Sequence, residues 1–180
     1  MLIPRERGDT LIEVIFATAV LSLIIVIALS VMNAGTAQAE RAVEGTFVRQ
    51  GIDSQTAMLR FARDAYVDKE AGADVLWSGP NGILNQRSSS ILDFSQLATT
   101  QPNCKPTNNK AFWLDTQGGL VTVNTIFSAP TTYAAPGNGM WIEATPTGTA
   151  NYVDFYIYAC WSAPNGVGNS TSGTVVRLYV

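Results

Sequence analysis

The chain has 180 residues, enough for one globular domain and too few for two, with 47% hydrophobic residues, 14% charged residues and a net charge of -3. That mildly acidic balance excludes the basic footprint of a nucleic-acid binder. Histidine is absent, which removes the commonest general base and the commonest transition-metal ligand together, so neither an enzyme nor a metal or other cofactor is expected.

In chain order, Met1 to Gly8 form a short leader carrying Arg5, Glu6 and Arg7. Residues 11–32 follow as an almost wholly apolar run of about 22 residues, long enough to cross a bilayer as a helix. Thr18, Ser22 and Ser30 interrupt it only mildly, because small hydroxyls bond back to their own helix carbonyls. Neither Pro nor Gly falls inside the run, so nothing there kinks it. Arginines precede the run and no basic cluster directly follows it, which places the N-terminus in the cytoplasm and the remainder outside. Glu13 stands near the start of the run, where a carboxylate costs up to about 2.5–3.5 kcal/mol at mid-membrane and less near the interface. Either it reaches water at the interface, or it meets a positive charge brought by a neighbouring subunit.

Gly8-Asp9-Thr10-Leu11-Ile12-Glu13-Val14, followed by the long apolar run, resembles the prepilin processing motif. Type IV pilins share that motif with the pseudopilins of secretion and competence systems. The resemblance covers about the first 35 residues of the chain. It implies that a prepilin peptidase cuts after Gly8 on the cytoplasmic side and leaves Asp9 as the mature N-terminus. It also implies that Glu13 faces the N-terminal amine of an adjacent subunit during assembly, a buried pair suited to fixing register. Asp9 departs from the family, which usually carries a phenylalanine there that is N-methylated after cleavage. The implied partners are other pilin subunits in a helical filament and an inner-membrane assembly machinery. The implied location is the cytoplasmic membrane before assembly and an extracellular filament afterwards, with secretion or cell adhesion as its use. Ala37-Gln38-Ala39 supports a second reading, an ordinary secretory signal removed before Glu40, although the apolar run is longer than such signals carry.

Beyond Met32 the chain turns polar and stays helical to about Tyr66, so residues 9–34 read as a transmembrane or filament-core helix and 35–70 as its amphipathic continuation. Val43, Phe47, Met58, Phe61, Ala65 and Tyr66 mark a discontinuous apolar stripe, with Arg41, Glu44, Arg49, Arg60 and Arg63 largely off it. Gly35, Gly45 and Gly51 weaken the helix by up to ~1 kcal/mol each. Asp64, Asp68, Glu70 and Asp74 read as a solvated face.

Residues 71–180 read as a β-rich extracytoplasmic head. Strands are expected over 90–94, 111–114, 120–127, 140–144, 152–161 and 174–180, with a hairpin turn at Gln117-Gly118-Gly119 and loops over 78–82, 134–139 and 164–173. Together these predict an α+β fold, a long N-terminal α-helix packed on an antiparallel β-sheet, as in pilins. Val153, Phe155, Ile157 and Ala159 form one face of the clearest strand, assigned to the helix side. Tyr152, Asp154, Tyr156 and Tyr158 form the other, either an open ligand or subunit surface or aromatic pairs covered by a loop. Cys104 and Cys160 are the only cysteines. Outside the cytoplasm they form one disulfide, worth roughly 4 kcal/mol in the chain-entropy model; otherwise they are two buried thiols. No phosphate-cradling Gly-Lys-Ser/Thr motif is present. Asn169-Ser170-Thr171 matches a glycosylation acceptor by three residues alone. A monomeric anchored or secreted binding module is the alternative to a filament subunit.

Overall fold

The structure is a computed structural model that describes residues 9–97, 103–117, 120–130, 132–146, 151–163 and 168–179. Helix α1 runs over Asp9–Val67. The chain divides into two compact units, Met1–Ala42 and Val43–Val180, each of which is taken by itself. In the first, α1 carries the apolar run. In the second, the head, the last turns of α1 pack on β-structure, giving an α+β fold with a long N-terminal helix.

After α1 the head contains α2 (Ala73–Ser78) and two 3-10 turns, Ile83–Gln86 and Phe94–Gln96. Strands β1 (Trp113–Gln117) and β2 (Leu120–Asn124) make an antiparallel pair. Strands β3 (Ala135–Pro136), β4 (Gly139–Ala144), β5 (Tyr152–Ser162) and β6 (Asn169–Tyr179) make a sheet in that order. The last three are antiparallel, whereas the two-residue β3 lies parallel to β4. An isolated antiparallel bridge, Phe112 to Ile142, ties the β1–β2 pair to β4.

The helix face that enters the core is Val48, Ile52, Leu59 and Ala62, joined by Gln55, all buried. It meets Met140, Ile142 and Ala144 of β4 and Val153, Phe155, Ile157 and Ala159 of β5, so the assigned inner face of β5 does pack towards the helix. The stripe expected from the sequence is displaced. Met58, Ala65 and Tyr66 of that stripe do pack on or within the core, whereas Val43, Phe47 and Phe61 are exposed, and the true face is centred on a glutamine, Gln55. Gln55 is fully buried and satisfied: its Nε2 donates to Leu114 O and its Oε1 accepts from Leu114 N, both at 2.8 Å. One side chain thereby completes both backbone groups of a buried strand residue, which would otherwise cost about 1–3 kcal/mol. Gly51 marks close approach of helix and sheet, since a Cβ there would stand 2.8 Å from the Met140 methyl.

Several local expectations are corrected. Residues 90–94 form no strand, because the backbone of Leu92 is taken by side chains rather than by a ladder. The region after Asp74 begins with α2 rather than β-structure. Strand β6 starts at Asn169, so 169–173 is not loop, and the Asn169-Ser170-Thr171 triplet lies within that strand, paired with Ser162, Trp161 and Cys160. Strand β2 ends at Asn124 and the 111–114 strand is shifted to Trp113–Gln117. The residues Gly118 and Gly119 of the expected hairpin turn lie outside the described residues, while Gln117 pairs with Leu120 as a hairpin requires.

Candidate functional site

The first candidate is the apolar stretch of α1. Among the described residues one helix is long and apolar enough to cross a membrane, and it lies near the N-terminus. Residues 11–36 are all exposed, with large side chains ranging from Val20 at 42% to Phe16 at 72%. An apolar surface of this extent marks a membrane or protein contact. The polar groups within it are closed internally: Thr18 Oγ1 donates to Ile15 O at 2.9 Å and Ser22 Oγ to Thr18 O at 2.7 Å. Such back-bonding is what a helix needs where no water reaches it. Gly8 lies outside the described residues, and Asp9 is the first residue of α1. Glu13 is one turn further along, exposed. It is the only charged side chain between Asp9 and Glu40. The Ala37-Gln38-Ala39 pattern falls inside α1.

The second candidate is the face of the β4–β5–β6 sheet turned away from the helix. Trp141 and Glu143 of β4, Tyr158 and Cys160 of β5, Leu97, Cys104 and Ala111 form a buried cluster there, with Ile91, Leu92 and Phe94 packed against it. Residues 91–97 together with Cys104 and Ala111 therefore cover one end of this face. Leu92 is held at both backbone groups: its N donates to Glu143 Oε2 at 3.2 Å, and its O accepts from the Tyr158 hydroxyl at 2.5 Å. Cys104 and Cys160 are joined at an S–S distance of 2.04 Å, which ties the same segment to β5. Phe94 packs on Tyr158 with tilted rings, centroids 4.9 Å apart, and lies over Gly173, where any Cβ would collide with its ring.

Glu143 was not singled out by the sequence, although one acid in the apolar run Met140-Trp141-Ile142-Glu143-Ala144 is a legible signal. It is 2% exposed and accepts from Trp141 Nε1 at 3.2 Å as well as from Leu92. Burial pushes its carboxyl above the usual glutamate range, against the pull of those donors. Tyr158 is pushed up by burial, with the Glu143 charge adding to the shift.

Further along, the same face is open. Tyr152 pairs with Tyr179, Asp154 with Arg177 and Tyr156 with Val175. Arg177 makes a bidentate pair with Asp154, Nε to Oδ1 at 2.7 Å and Nη2 to Oδ2 at 2.8 Å, and lies 4.0 Å from the Tyr152 ring centroid. Hydrogen bonding to Arg177 holds the Asp154 carboxyl below the usual aspartate range. The tyrosine row is thus covered by a loop at Tyr158 and open at Tyr152. Asp64, Asp68, Glu70 and Asp74 are exposed. Among the described residues no three His, Cys, Asp or Glu side chains gather as a metal ion would require.

No family model, no curated protein and no solved structure matches the chain.

Proposed function

We propose that the chain is a non-enzymatic structural subunit of a type IV pilus-like filament, a pilin or pseudopilin, anchored in the cytoplasmic membrane until it assembles. The carrying observation is the apolar stretch of α1, exposed on every side and broken by one carboxylate at Glu13, directly behind the Gly8-Asp9 junction. A helix apolar all round needs an apolar environment all round, and a bilayer or a bundle of like helices supplies one. A prepilin peptidase hydrolyses the peptide bond between Gly8 and Asp9. The released amine of one subunit meets Glu13 of its neighbour, and the helix moves from lipid into the bundle. The head supplies the filament surface, closed by its disulfide outside the cytoplasm.

The substitution Glu13→Ala leaves membrane insertion intact and lowers sedimentable filament sharply, since a carboxylate near an amine is removed while apolar character is gained. Filaments formed normally by Glu13→Ala would remove the glutamate's role. Intact mass of the native protein tests the processing: a chain starting at Asp9 supports it, and a chain starting at Glu40 replaces the filament by a secreted module.

A further inference from the structure

Residues 91–97 lie against the outer face of the sheet without joining it. On one side of them the chain is fixed where Ser88 N donates to Ala144 O at 2.9 Å. On the other side it is fixed by the Cys104–Cys160 bond. Between these anchors two side chains, Glu143 and Tyr158, hold the backbone of Leu92 in place of a strand ladder.

Glu143 is the unusual member of that pair. Its buried carboxyl has neutral partners: Leu92 N, Trp141 Nε1 and the Asn108 side chain. A carboxylate in such a site is costly to ionise, and burial outweighs the pull of the donors. Tyr156 stands opposite it on β5, and Tyr158, pushed up by burial, stays neutral. Asp154, also on β5, is taken by Arg177. On the covering side Asp93 is itself an acid, held below the usual aspartate range by Ser95. Of the cations on neighbouring segments, Lys105 is exposed, Lys110 donates to Asn85 O and Arg87 to Leu84 O. The cover keeps water from the carboxyl, and the carboxyl gives the cover an acceptor.

We propose that Glu143 is a pH-operated latch: its neutral form keeps residues 91–97 closed over Trp141 and Tyr158, and its ionisation releases them. A charge formed in a dry site is relieved by water, and water reaches this carboxyl when Leu92 lifts. Burial raises the carboxyl in the closed form above its value in the open, hydrated form. Closure is therefore complete below the ordinary glutamate range and is lost as pH rises through the closed-form value. The two anchors keep the opening local, and the ladders from β4 to β5 and from β5 to β6 stay paired. The latch belongs to the head and works alike in a filament subunit or a monomer.

Hydrogen exchange of the detergent-solubilised full chain, read by peptide mass and corrected for the free-peptide rate at each pH, tests this. Between about pH 4 and about pH 9, protection of residues 91–97 should fall by up to about ten-fold per pH unit, then level off above the closed-form value. Protection of residues 153–159 on β5 should not follow it. Glu143→Gln cannot ionise, so its residues 91–97 should be less protected than in the wild type at low pH but indifferent to pH. Tyr158→Phe removes the donor to Leu92 O and should lower protection at every pH while keeping the step. Asp93→Asn should leave the step in place. A step that survives in Glu143→Gln would overturn the latch. So would a wild-type profile with no step, or with a step shared by β5, even if Glu143→Gln failed to fold.

Discussion

Leu23 and Leu59 are the same residue type in the same helix, yet Leu23 is 63% exposed and Leu59 fully buried. Around Leu23 the chain is apolar on every face; around Leu59 one face is apolar and the others carry Arg60, Arg63 and Asp64. Helical propensity does not distinguish the two stretches. What differs is the surroundings each demands, an apolar medium on all sides for the first and one folded partner for the second. Residues 11–32 are exposed on every side, while Val48, Ile52, Leu59 and Ala62 are part of the head's core.

The widest separation between the stretches should come from matched leucine truncations. Leu59→Ala opens a cavity against the sheet and should cost about 2–5 kcal/mol in denaturant unfolding of the detergent-solubilised chain. Leu23→Ala should leave that midpoint within about 0.5 kcal/mol. Equal effects would show that the apolar run folds together with the head.

A second comparison lies within the buried face itself. Gln55→Ala leaves both backbone groups of Leu114 without partners and should destabilise by about 1–3 kcal/mol. The amide exchange of Leu114 should accelerate in parallel. A neutral outcome would mean that water takes over the amide's role.

The smallest effect concerns pH and two carboxylates on the outer face. Asp154 is held low by Arg177, so its contribution is present above the ordinary aspartate range and is lost as pH falls through its folded value. Glu143 is held high by burial, so its contribution is complete below the ordinary glutamate range and is lost as pH rises through its folded value. Unfolding midpoints followed from about pH 2 to about pH 8 should show both arms. Asp154→Asn should flatten the acid arm alone, and Glu143→Gln the upper arm alone. In Glu143→Gln at least one of the groups that donate to it, such as Leu92 N or Trp141 Nε1, loses its acceptor, so faster exchange at the cover is a further readout.

Elements whose pattern is uniform over many residues are legible in the amino-acid order alone. The apolar run predicts its own exposure-or-membrane character, because no periodic polar face interrupts it. The alternation of Val153, Phe155, Ile157 and Ala159 against Tyr152, Asp154, Tyr156 and Tyr158 predicts β5 and its inner face, since a strand's side chains alternate by geometry. Tertiary packing fixes which face of the second helical stretch is core, because Gln55 is buried through a bond to Leu114, 59 positions away. It also decided that residues 90–94, extended and β-prone, cover the sheet instead of joining it. Glu143 and Tyr158 take the backbone groups that a neighbouring strand would use, and Cys160 anchors the segment through Cys104. Local pattern reports how a segment can be buried; which partner completes its hydrogen bonds is settled by residues distant in the chain.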